Sequence, residues 1–227
     1  MAPVSVIIPT LNTADRLGPC LGALGEALFD GLIKEVILAD GGSEDRIDLV
    51  ARETGARLVQ APRGRGQQLA AGAKAASGTW LLFLHADTVL APDWGAAVQA
   101  HLRDHPDRAG WFRLAFDADH RTARFVAGWA NWRSRWLGLP YGDQGLLVPR
   151  PLYTEVGGFP PMPLMEDVAL ARRLRGRLRP IAADAVTSAE RYEREGWRRR
   201  GARNLGTLVR YFLGASPERL VQRYERR

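Results

Sequence analysis

The sequence of 227 residues is poor in cysteine, in lysine and in long apolar runs. Its one cysteine, Cys20, excludes an intramolecular disulfide, and we expect it to be a small packed residue. No segment approaches the roughly 18 consecutive apolar residues that favour a transmembrane helix. The first residues lack the basic and apolar regions of a signal peptide. Together these absences predict a cytoplasmic protein.

Positive charge is concentrated at one end of the chain. The net charge is +7, and residues 187–227 alone contain 11 Arg and 5 Glu. This excess of six leaves about +1 for residues 1–186. A nearly neutral body argues against nucleic acid as a partner. The basic tail predicts a local anionic partner, namely a membrane surface, a phosphorylated substrate or another protein.

Strand-like and helix-like segments alternate through the first hundred residues. The strand-like segments are residues 4–8, 35–39, 57–60 and 80–84, and the helix-like segments end near residues 28, 54 and 76. Because this alternation is typical of βαβ units, it predicts a parallel sheet. Later segments predict helices at 94–103, 120–136 and 166–174, strands at 144–148 and 180–182, and an antiparallel or edge strand at 110–116. The first turn lacks the G-x-G-x-x-G pattern of dinucleotide-binding domains.

A polar turn with one carboxylate, Asp87, follows the apolar run 80–84. Such a run is typical of a strand buried on both faces, and open α/β sheets bind ligands at the carboxyl ends of their strands. A carboxylate there is suited to hold a divalent cation against a diphosphate. The alternative is an Asx turn that starts the next helix.

Two further strand ends carry polar residues. Thr10 and Asn12 follow the first strand and could bind a base or ribose, although turn formation explains them equally well. Asp40 ends the second strand, where a carboxylate can accept hydrogen bonds from a nucleobase or a ribose hydroxyl. Gly41 beside it permits close backbone approach.

Two adjacent carboxylates, Glu166 and Asp167, open a predicted helix. Negative charge at a helix N-terminus is favourable in itself, and a general base is the functional alternative. Because adjacent helical residues point about 100° apart, we expect one to face a cleft and the other to bond the scaffold.

The segments 4–12, 39–45, 85–87 and 157–159, together with Glu166-Asp167, resemble the family 2 glycosyltransferases of GT-A fold over residues 4–175. Segments 64–68 and 141–145 resemble the branch of radical-SAM/selenodomain-associated, or arsenosugar-biosynthesis, glycosyltransferases. The resemblance implies an α/β fold of GT-A type, which is a Rossmann-like, mostly parallel sheet flanked by helices with a helical C-terminal tail. We expect a transferase domain at 1–186 and a basic amphipathic helical extension packed on it at 187–227.

The resemblance also implies roles for individual residues. Asp40 matches the acid that contacts the nucleotide base, and Thr10 matches the residue beside the nucleoside. Asp87 matches the last acid of the DXD-type motif, which holds Mg²⁺ or Mn²⁺ on the donor diphosphate. Asp167, or Glu166, matches the base that deprotonates the acceptor hydroxyl.

One departure from the family pattern is His85, which occupies the first DXD position. Imidazole is a poor ligand for Mg²⁺ and an acceptable one for Mn²⁺. His85 therefore either binds metal, faces the donor sugar or packs. With Asp87 as the one assigned metal ligand, phosphates and waters would complete the coordination of the cation.

The remaining candidates lie in loops. Arg63 and Arg65, with glycines beside them, are candidate phosphate contacts or solvated side chains. Arg191 and Tyr192, soon after the last predicted strand, could reach the donor diphosphate or a phosphorylated acceptor. Tyr141, Asp143 and Gln144 are candidate contacts to the acceptor or donor sugar, with a turn as the alternative. The predicted donor nucleotide site comprises Pro9, Thr10, Asn12, Asp40, Gly41, Arg63, Gly66, His85, Ala86 and Asp87.

Two apolar stripes occur on predicted helices. Trp129, Trp132 and Trp136 share one face, which predicts core packing or a subunit interface, hence a homodimer, rather than a sugar platform. Leu205 and Val209 lie on a second stripe that favours docking on the domain, with peripheral contact to the inner face of a membrane as the alternative.

The resulting hypothesis is an inverting, metal-assisted glycosyltransferase that moves a sugar from a UDP or GDP sugar to an acceptor hydroxyl. One base on the acceptor side implies single displacement, and we find no strong candidate for the nucleophile of a double displacement. A nucleotidyltransferase of similar architecture is the enzymatic alternative, but Pro9-Thr10-Leu11-Asn12 is not the Gly-rich basic loop that it usually needs. A scaffold that binds a nucleotide sugar without catalysis is the non-enzymatic alternative.

Overall fold

A computed structural model describes residues 2–225 of the chain, with side-chain surroundings described up to residue 221. Met1 and residues 226–227, which belong to the predicted segments 1–186 and 187–227, lie outside the described residues. The strands are β1 (Val4–Thr10), β2 (Ile33–Asp40), β3 (Arg57–Gln60), β4 (Trp80–Phe83), β5 (Thr88–Leu90), β6 (Ala109–Phe116), β7 (Leu146–Pro149) and β8 (Leu178–Thr187).

Helices separate and follow these strands. They are α1 (Leu17–Phe29), α2 (Ile47–Thr54), α3 (Arg65–Ala75), α4 (Trp94–Asp104), α5 (Arg121–Leu137), α6 (Arg150–Glu155), α7 (Glu166–Arg173), α8 (Glu190–Glu195), α9 (Trp197–Phe212) and α10 (Pro217–Glu225). Two short 3₁₀ turns, Ala14–Arg16 and Gly142–Gln144, lie beside the candidate site. Among the helices of the described chain, none is long and apolar enough to cross a membrane.

The strands form one sheet in the order β3-β2-β1-β4-β7-β6-β8-β5. The first four of these neighbours run parallel, β7 pairs antiparallel with β4 and β6, and β6 pairs parallel with β8. The parallel half confirms the βαβ pattern of the first hundred residues. Because β1, β2 and β4 are parallel neighbours, the residues that follow them meet at one edge of the sheet.

Three details differ from the sequence-based expectations. Residues 88–90 form β5, which was not predicted and which pairs antiparallel with β8. Helix α6 was not predicted. Strand β6 pairs antiparallel with β7, as one predicted alternative had it, but it lies inside the sheet between β7 and β8. These features depend on long-range pairing and packing, which short-range hydrophobic patterns do not record.

Both faces of the sheet are covered by helices. Val6 and Ile8 point to the face that packs against Leu24 of α1, while Ile7 between them points to the opposite face and to Leu69 of α3. This alternation follows from the two-residue period of a strand. Cys20 is buried in the first of these layers, as predicted.

A third, smaller cluster joins the C-terminal helices to the sheet domain. Met165, Val168 and Ala171 around α7 pack with Leu208 of α9 and Leu220 of α10. All five side chains are almost fully buried. The apolar side of α9 is therefore divided, because Leu208 points inward while Leu205, Val209 and Phe212 remain about half exposed.

Candidate active site

Two cavities meet at Asp87, directly after β4. The first, of about 350 Å³, is called the arginine-rich cavity and is lined by Pro9, Leu11, Asn12, Thr13, Arg16, Arg65, His85, Ala86, Asp87, Arg191 and Arg194. The second, of about 180 Å³, is called the carboxylate cavity, and its lining includes Asp143, Glu166 and Asp167. Arg65, His85, Asp87 and Arg191 line both. The two cavities therefore form one continuous cleft.

The arginine-rich cavity is suited to an anion. Arg16, Arg65, Arg191 and Arg194 line it together with the carboxylate of Asp87. Glu190 pairs with Arg16 and Arg194, and Glu166 pairs with Arg65, so part of this positive charge is offset. Guanidinium groups bind phosphate oxygens through two parallel hydrogen bonds. Of the residues predicted to contact a donor nucleotide, Pro9, Asn12, His85, Ala86 and Asp87 are among those that line this cavity.

Thr10 and Asp40 end β1 and β2, and both side chains are buried. The Thr10 hydroxyl donates to Asp40 Oδ1 at 3.1 Å, and the backbone N–H groups of Gly42 and Ser43 donate to Oδ2. Burial alone would raise the pKa of Asp40, but the hydrogen bonds from Ser43, Gly42 and Thr10 lower it below its usual value. In this structure the pair shapes the loop after β2, and direct contacts of both residues with a nucleotide stay a prediction.

Two glycines of the predicted donor site, Gly41 and Gly66, allow neighbouring groups to pack closely. The Cα of Gly41 faces the carboxamide of Gln68, whose Nε2 donates to the carbonyl oxygens of Thr10 and Ala39. A Cβ on Gly66 would lie 2.4 Å from the carbonyl oxygen of Pro160. Gly66 thus lets α3 approach the loop before α7, and the predicted contact of Gly66 with a donor is corrected to this role.

Replacing Gly66 with alanine is expected to destabilise the fold by about 1–3 kcal/mol, the usual cost of overpacking, because the obstructing atoms belong to the backbone. Gly22 on the exposed side of α1 is a matched control, since no atom lies within 4 Å of its added Cβ. Gly22→Ala should be neutral or stabilising. Urea unfolding of both variants measures the difference, and equal midpoints would contradict the packing role.

Gln144 does not face the cleft, which corrects its predicted role as a sugar or acceptor contact. Its side chain is fully buried. Its Oε1 accepts from Ser134 Oγ at 2.6 Å and from the backbone N–H of Tyr141 at 3.2 Å, and its Nε2 donates to Asn131. Gln144 therefore ties the turn that carries Tyr141 and Asp143 to α5.

Tyr141 and Asp143 do line the carboxylate cavity. The guanidinium of Arg133 lies 3.4 Å from the centre of the Tyr141 ring, which holds the ring in place. Burial raises the pKa of Asp143 to about 6, the charges of Asp167 and Asp87 add to the shift, and Arg133 and Arg65 oppose it. Among the described residues, Asp143 Oδ1 is buried without a hydrogen-bond partner.

Of the two predicted phosphate contacts near the start of α3, Arg65 faces the cleft. Arg65 lines both cavities and lies 3.6 Å from Glu166 Oε1. Arg63 is exposed and lies outside the lining of these two cavities in the described chain. Helix α3 begins at Arg65.

Asp167 is held by backbone groups at the start of α7. The N–H of Gly142 donates to Oδ2 at 2.9 Å, and the N–H of Val168 donates to Oδ1 at 2.7 Å. Met165 just before the helix adopts φ +67°, a left-handed conformation that is costly for a residue with a side chain. This strained turn sets the direction in which the two carboxylates leave the backbone.

Glu166 is only 1% exposed, although it lines the cleft. Burial raises the pKa of Glu166 to about 7, the neighbouring charge of Asp167 adds to the shift, and Arg65 opposes it. Adjacent carboxylates thus differ in environment, as expected from their 100° separation on the helix. Glu166 is enclosed by the scaffold, while Asp167 is half-buried at the cavity wall.

The raised pKa of Glu166 makes a prediction about stability. The folded protein holds this proton up to about pH 7, whereas the unfolded chain releases it near pH 4.5. Stability from this group is thus present below pH 4.5 and is lost as the pH rises to about 7. Glu166→Gln should gain on the order of 2–3 kcal/mol over wild type between these pH values. Chemical unfolding at pH 4.5 and pH 8 measures the gain.

The exposed Glu53→Gln on α2 is the control for that comparison, because its side chain lies away from the cleft. Its stability should follow that of wild type at both pH values. A constant difference between Glu166→Gln and wild type across the pH range would contradict the raised pKa.

His85 packs against the turn at Gly142, since a Cβ on that glycine would lie 2.3 Å from His85 Nε2. Burial lowers the pKa of His85 to about 4, the charge of Arg65 adds to the shift, and Asp87 and Asp167 oppose it. The imidazole is therefore neutral near pH 7. Within the described chain, no three or more His, Cys, Asp or Glu side chains form a group that could hold a metal ion.

The C-terminal helices supply several cleft residues, of which the sequence analysis named Arg191 and Tyr192. Arg191 and Arg194 of α8 line the arginine-rich cavity, and Arg200, Asn204 and Thr207 of α9 line the carboxylate cavity. The concentration of arginine after residue 187 was the available signal. It indicated an anionic partner but not that these side chains return to the edge of the sheet.

Comparisons with known proteins identify the family and the fold. Residues 5–159, about two thirds of the chain, match the family described as Glycosyl transferase family 2. A curated relative, the PGL/p-HBAD biosynthesis glycosyltransferase of Mycobacterium bovis (strain BCG / Pasteur 1173P2), is 37% identical over 109 residues. The match covers 44% of this chain and 42% of the relative, so the chain matches less than half the length of that protein.

Two solved structures share the fold. The mannosyltransferase PcManGT from Pyrobaculum calidifontis, in complex with GDP-Man and Mn²⁺, superposes with a TM-score of 0.66 at 21% identity, covering 95% of this chain and 66% of that chain. S. aureus TarS 1-349, in complex with UDP-GlcNAc, gives 0.60 at 16% identity, covering 82% and 58%. These neighbours have the GT-A fold, which confirms the predicted fold class. With its family motifs at the edge of such a sheet, the chain belongs to glycosyltransferase family 2.

Proposed function

We propose that this domain transfers a sugar from a nucleoside-diphosphate sugar to an acceptor hydroxyl, with inversion at the anomeric carbon. The observation that carries the proposal is the position of Asp87 between the two cavities. The arginine-rich cavity matches the charge of a donor diphosphate. On the other side of Asp87, the carboxylate cavity contains the candidate base Asp167.

The donor would lie along the edge formed by β1 and β4. Pro9 and Asn12 form part of the wall where the nucleoside would rest, and the four arginines would offset the diphosphate charge. PcManGT is described with GDP-Man and TarS with UDP-GlcNAc. We therefore propose UDP or GDP as the donor nucleotide.

A divalent cation that is bound to the donor diphosphate fits this site. Asp87 offers one carboxylate, the neutral imidazole of His85 lies nearby, and the described residues form no complete metal cage. Such a ligand set suits Mg²⁺ or Mn²⁺ held mainly by phosphates and water. The cation would offset charge that develops on the departing diphosphate. Mn²⁺ is present in the PcManGT complex, and we propose Mg²⁺ or Mn²⁺ for this chain.

We assign the general base to Asp167. Its two backbone hydrogen bonds orient the carboxylate and leave a second lone pair on each oxygen for an acceptor hydroxyl. Glu166 is enclosed and carries a raised pKa, so it serves better to position α7 beside Arg65. Tyr141 and Asp143, which line the same cavity, are proposed contacts of the acceptor or donor sugar.

Three finer predictions remain proposals. Membership of the radical-SAM-associated branch rests on segments 64–68 and 141–145, and the cytoplasmic location rests on composition. The boundary of the C-terminal extension at residue 187 falls at the end of β8. Because α8 and α9 help to form the cleft, we propose that the extension takes part in substrate binding.

A thermal-shift panel tests the proposal, with UDP, GDP, CDP and dTDP sugars each in Mn²⁺, Mg²⁺ or EDTA. A ligand at a hundred times its dissociation constant should stabilise the protein by about 2.7 kcal/mol. We expect a metal-dependent shift with one nucleotide class, together with slow release of free nucleoside diphosphate. Release of pyrophosphate would favour a nucleotidyltransferase. Donor binding without transfer to any hydroxyl acceptor would favour a non-catalytic scaffold.

A further inference from the structure

An exposed aromatic row runs along α5. Phe125, Trp129, Trp132 and Trp136 are 75%, 45%, 47% and 68% exposed, and by helix geometry they fall within a narrow sector of the helix. The opposite side of α5, with Ala123, Ala130 and Ser134, is buried. Trp129 and Trp132 stack on each other at 5.1 Å. The prediction that this tryptophan stripe forms core is therefore wrong for the described chain.

A second exposed row lies on α9, next to α5. Leu205, Val209 and Phe212 share one side of the helix and are each about half exposed, and Leu213 just beyond the helix is 82% exposed. The C-terminal ends of the two helices meet at a shallow cavity lined by Leu137 and Phe212. We call the two rows together the α5–α9 face. It is a larger apolar surface than a soluble protein usually leaves without a partner.

The two helices of this face carry positive charge, and Asp119 before α5 pairs with Arg124. Helices α5 and α9 comprise 17 and 16 residues, and together they contain nine arginines and neither aspartate nor glutamate. Arg124 and Arg135 lie on one flank of the aromatic row by helix geometry, and Arg198 lies in line with Leu205 and Val209. Arg172 and Arg175 line the cavity where the two rows meet. Aromatic and aliphatic side chains are thus bordered by arginine.

We propose that the α5–α9 face binds the surface of an anionic phospholipid bilayer. Tryptophan and phenylalanine favour the boundary between head groups and acyl chains, and arginine beside them pairs with anionic head groups. An isologous dimer through this face would place the same arginines against each other, which is unfavourable. Nucleic acid explains the arginines but not the aliphatic Leu205, Val209 and Leu213, which offer no ring for stacking on bases.

This orientation has a consequence for the cleft. Arg200, Asn204 and Thr207 on another side of α9 line the carboxylate cavity. One helix therefore links the bilayer-binding face to the wall of the candidate active site. The proposal concerns binding alone and does not depend on the transferase activity.

Co-sedimentation of the full chain with vesicles tests it. We expect binding to phosphatidylcholine vesicles that contain about 30% phosphatidylglycerol, little binding to pure phosphatidylcholine, and weaker binding in about 0.5 M salt. The double substitution Phe125→Ala/Trp136→Ala should lower the partition coefficient at least about tenfold. Phe29→Ala is the matched control, because Phe29 is 92% exposed at the end of α1, outside the face. It should bind like wild type.

A charge-reversal substitution gives a second test of vesicle binding. Arg135→Glu on α5 should lower binding to the anionic vesicles about tenfold or more. Arg103→Glu on α4 is the control, since that side chain is also exposed but lies outside the face. Both are surface substitutions, and circular dichroism should show unchanged helix content.

Three results would overturn the proposal. One is the absence of binding to anionic vesicles at low salt. Another is a concentration-dependent dimer, seen by light scattering, that Phe125→Ala/Trp136→Ala abolishes, since this would assign the face to a second copy. The third is tight binding of a single-stranded oligonucleotide that the same substitutions abolish.

Discussion

Asp87→Asn is expected to abolish metal-dependent donor binding. The substitution keeps the shape of the side chain but removes the one protein charge that faces a cation among four arginines. With a donor at a hundred times its dissociation constant, the Mn²⁺-dependent stabilisation of about 2.7 kcal/mol should disappear. Thermal shifts with nucleotide sugar in Mn²⁺ and in EDTA measure the loss.

Metal-independent binding should survive in that variant, because Arg16, Arg65, Arg191 and Arg194 remain to attract the diphosphate. Asp107→Asn, in an exposed turn outside the cleft, is the control and should retain the full shift. Unchanged donor affinity of Asp87→Asn in the presence of Mn²⁺ would show that the metal assignment is wrong.

Asp167→Asn is expected to lower the transfer rate by a factor of about 10² or more, the scale of a lost general base. An amide cannot accept the proton of the acceptor hydroxyl, while its size matches that of the carboxylate. Donor binding should persist, because the arginine-rich cavity does not include Asp167. Single-turnover transfer and the thermal shift, measured on the same preparation, separate the two effects.

Glu166→Gln is the comparison for that experiment. We expect a smaller effect on transfer, since this side chain is 1% exposed, and a pH-dependent gain in stability. A larger loss of transfer in Glu166→Gln than in Asp167→Asn would reverse the assignment of the base. If both variants lose donor binding, the change lies in the packing of α7 and not in proton transfer.

Much of the parallel half of the fold was predictable from local patterns. Residues 4–8 and 80–84 are mostly apolar segments that end at polar turns. Such segments form buried parallel strands, because helices cover both faces of a parallel sheet. The adjacent carboxylates Glu166 and Asp167 were predicted to differ in surroundings, and they do. This expectation needed only the 100° step of a helix.

The roles of Thr10, Asp40 and Gln144 could not be read in the same way. Each is a polar residue in a turn beside the cleft, and composition does not show whether such a side chain points outward or inward. The Thr10–Asp40 hydrogen bond joins residues 30 positions apart, and Gln144 bonds residues of α5. Polar groups that become buried on folding bond internal partners, and only tertiary structure decides which groups find them.

The exposed tryptophans also show what a local pattern can and cannot predict. Their spacing showed that they share a face of a helix, because spacing is a local property. Whether another element covers that face depends on where the chain places its other helices, and here α9 contacts α5 without covering the aromatic row.

The sequence by itself determined most of the strand-and-helix order, the family and the carboxylates Asp87, Glu166 and Asp167, since these follow from hydrophobic period and from short motifs. The tertiary structure decided which of the polar residues line one cleft. It brought Arg16, Arg65, Arg191 and Arg194 to the same cavity, although they are spread over most of the chain. That convergence arises from long-range strand pairing and helix packing, which no local pattern encodes.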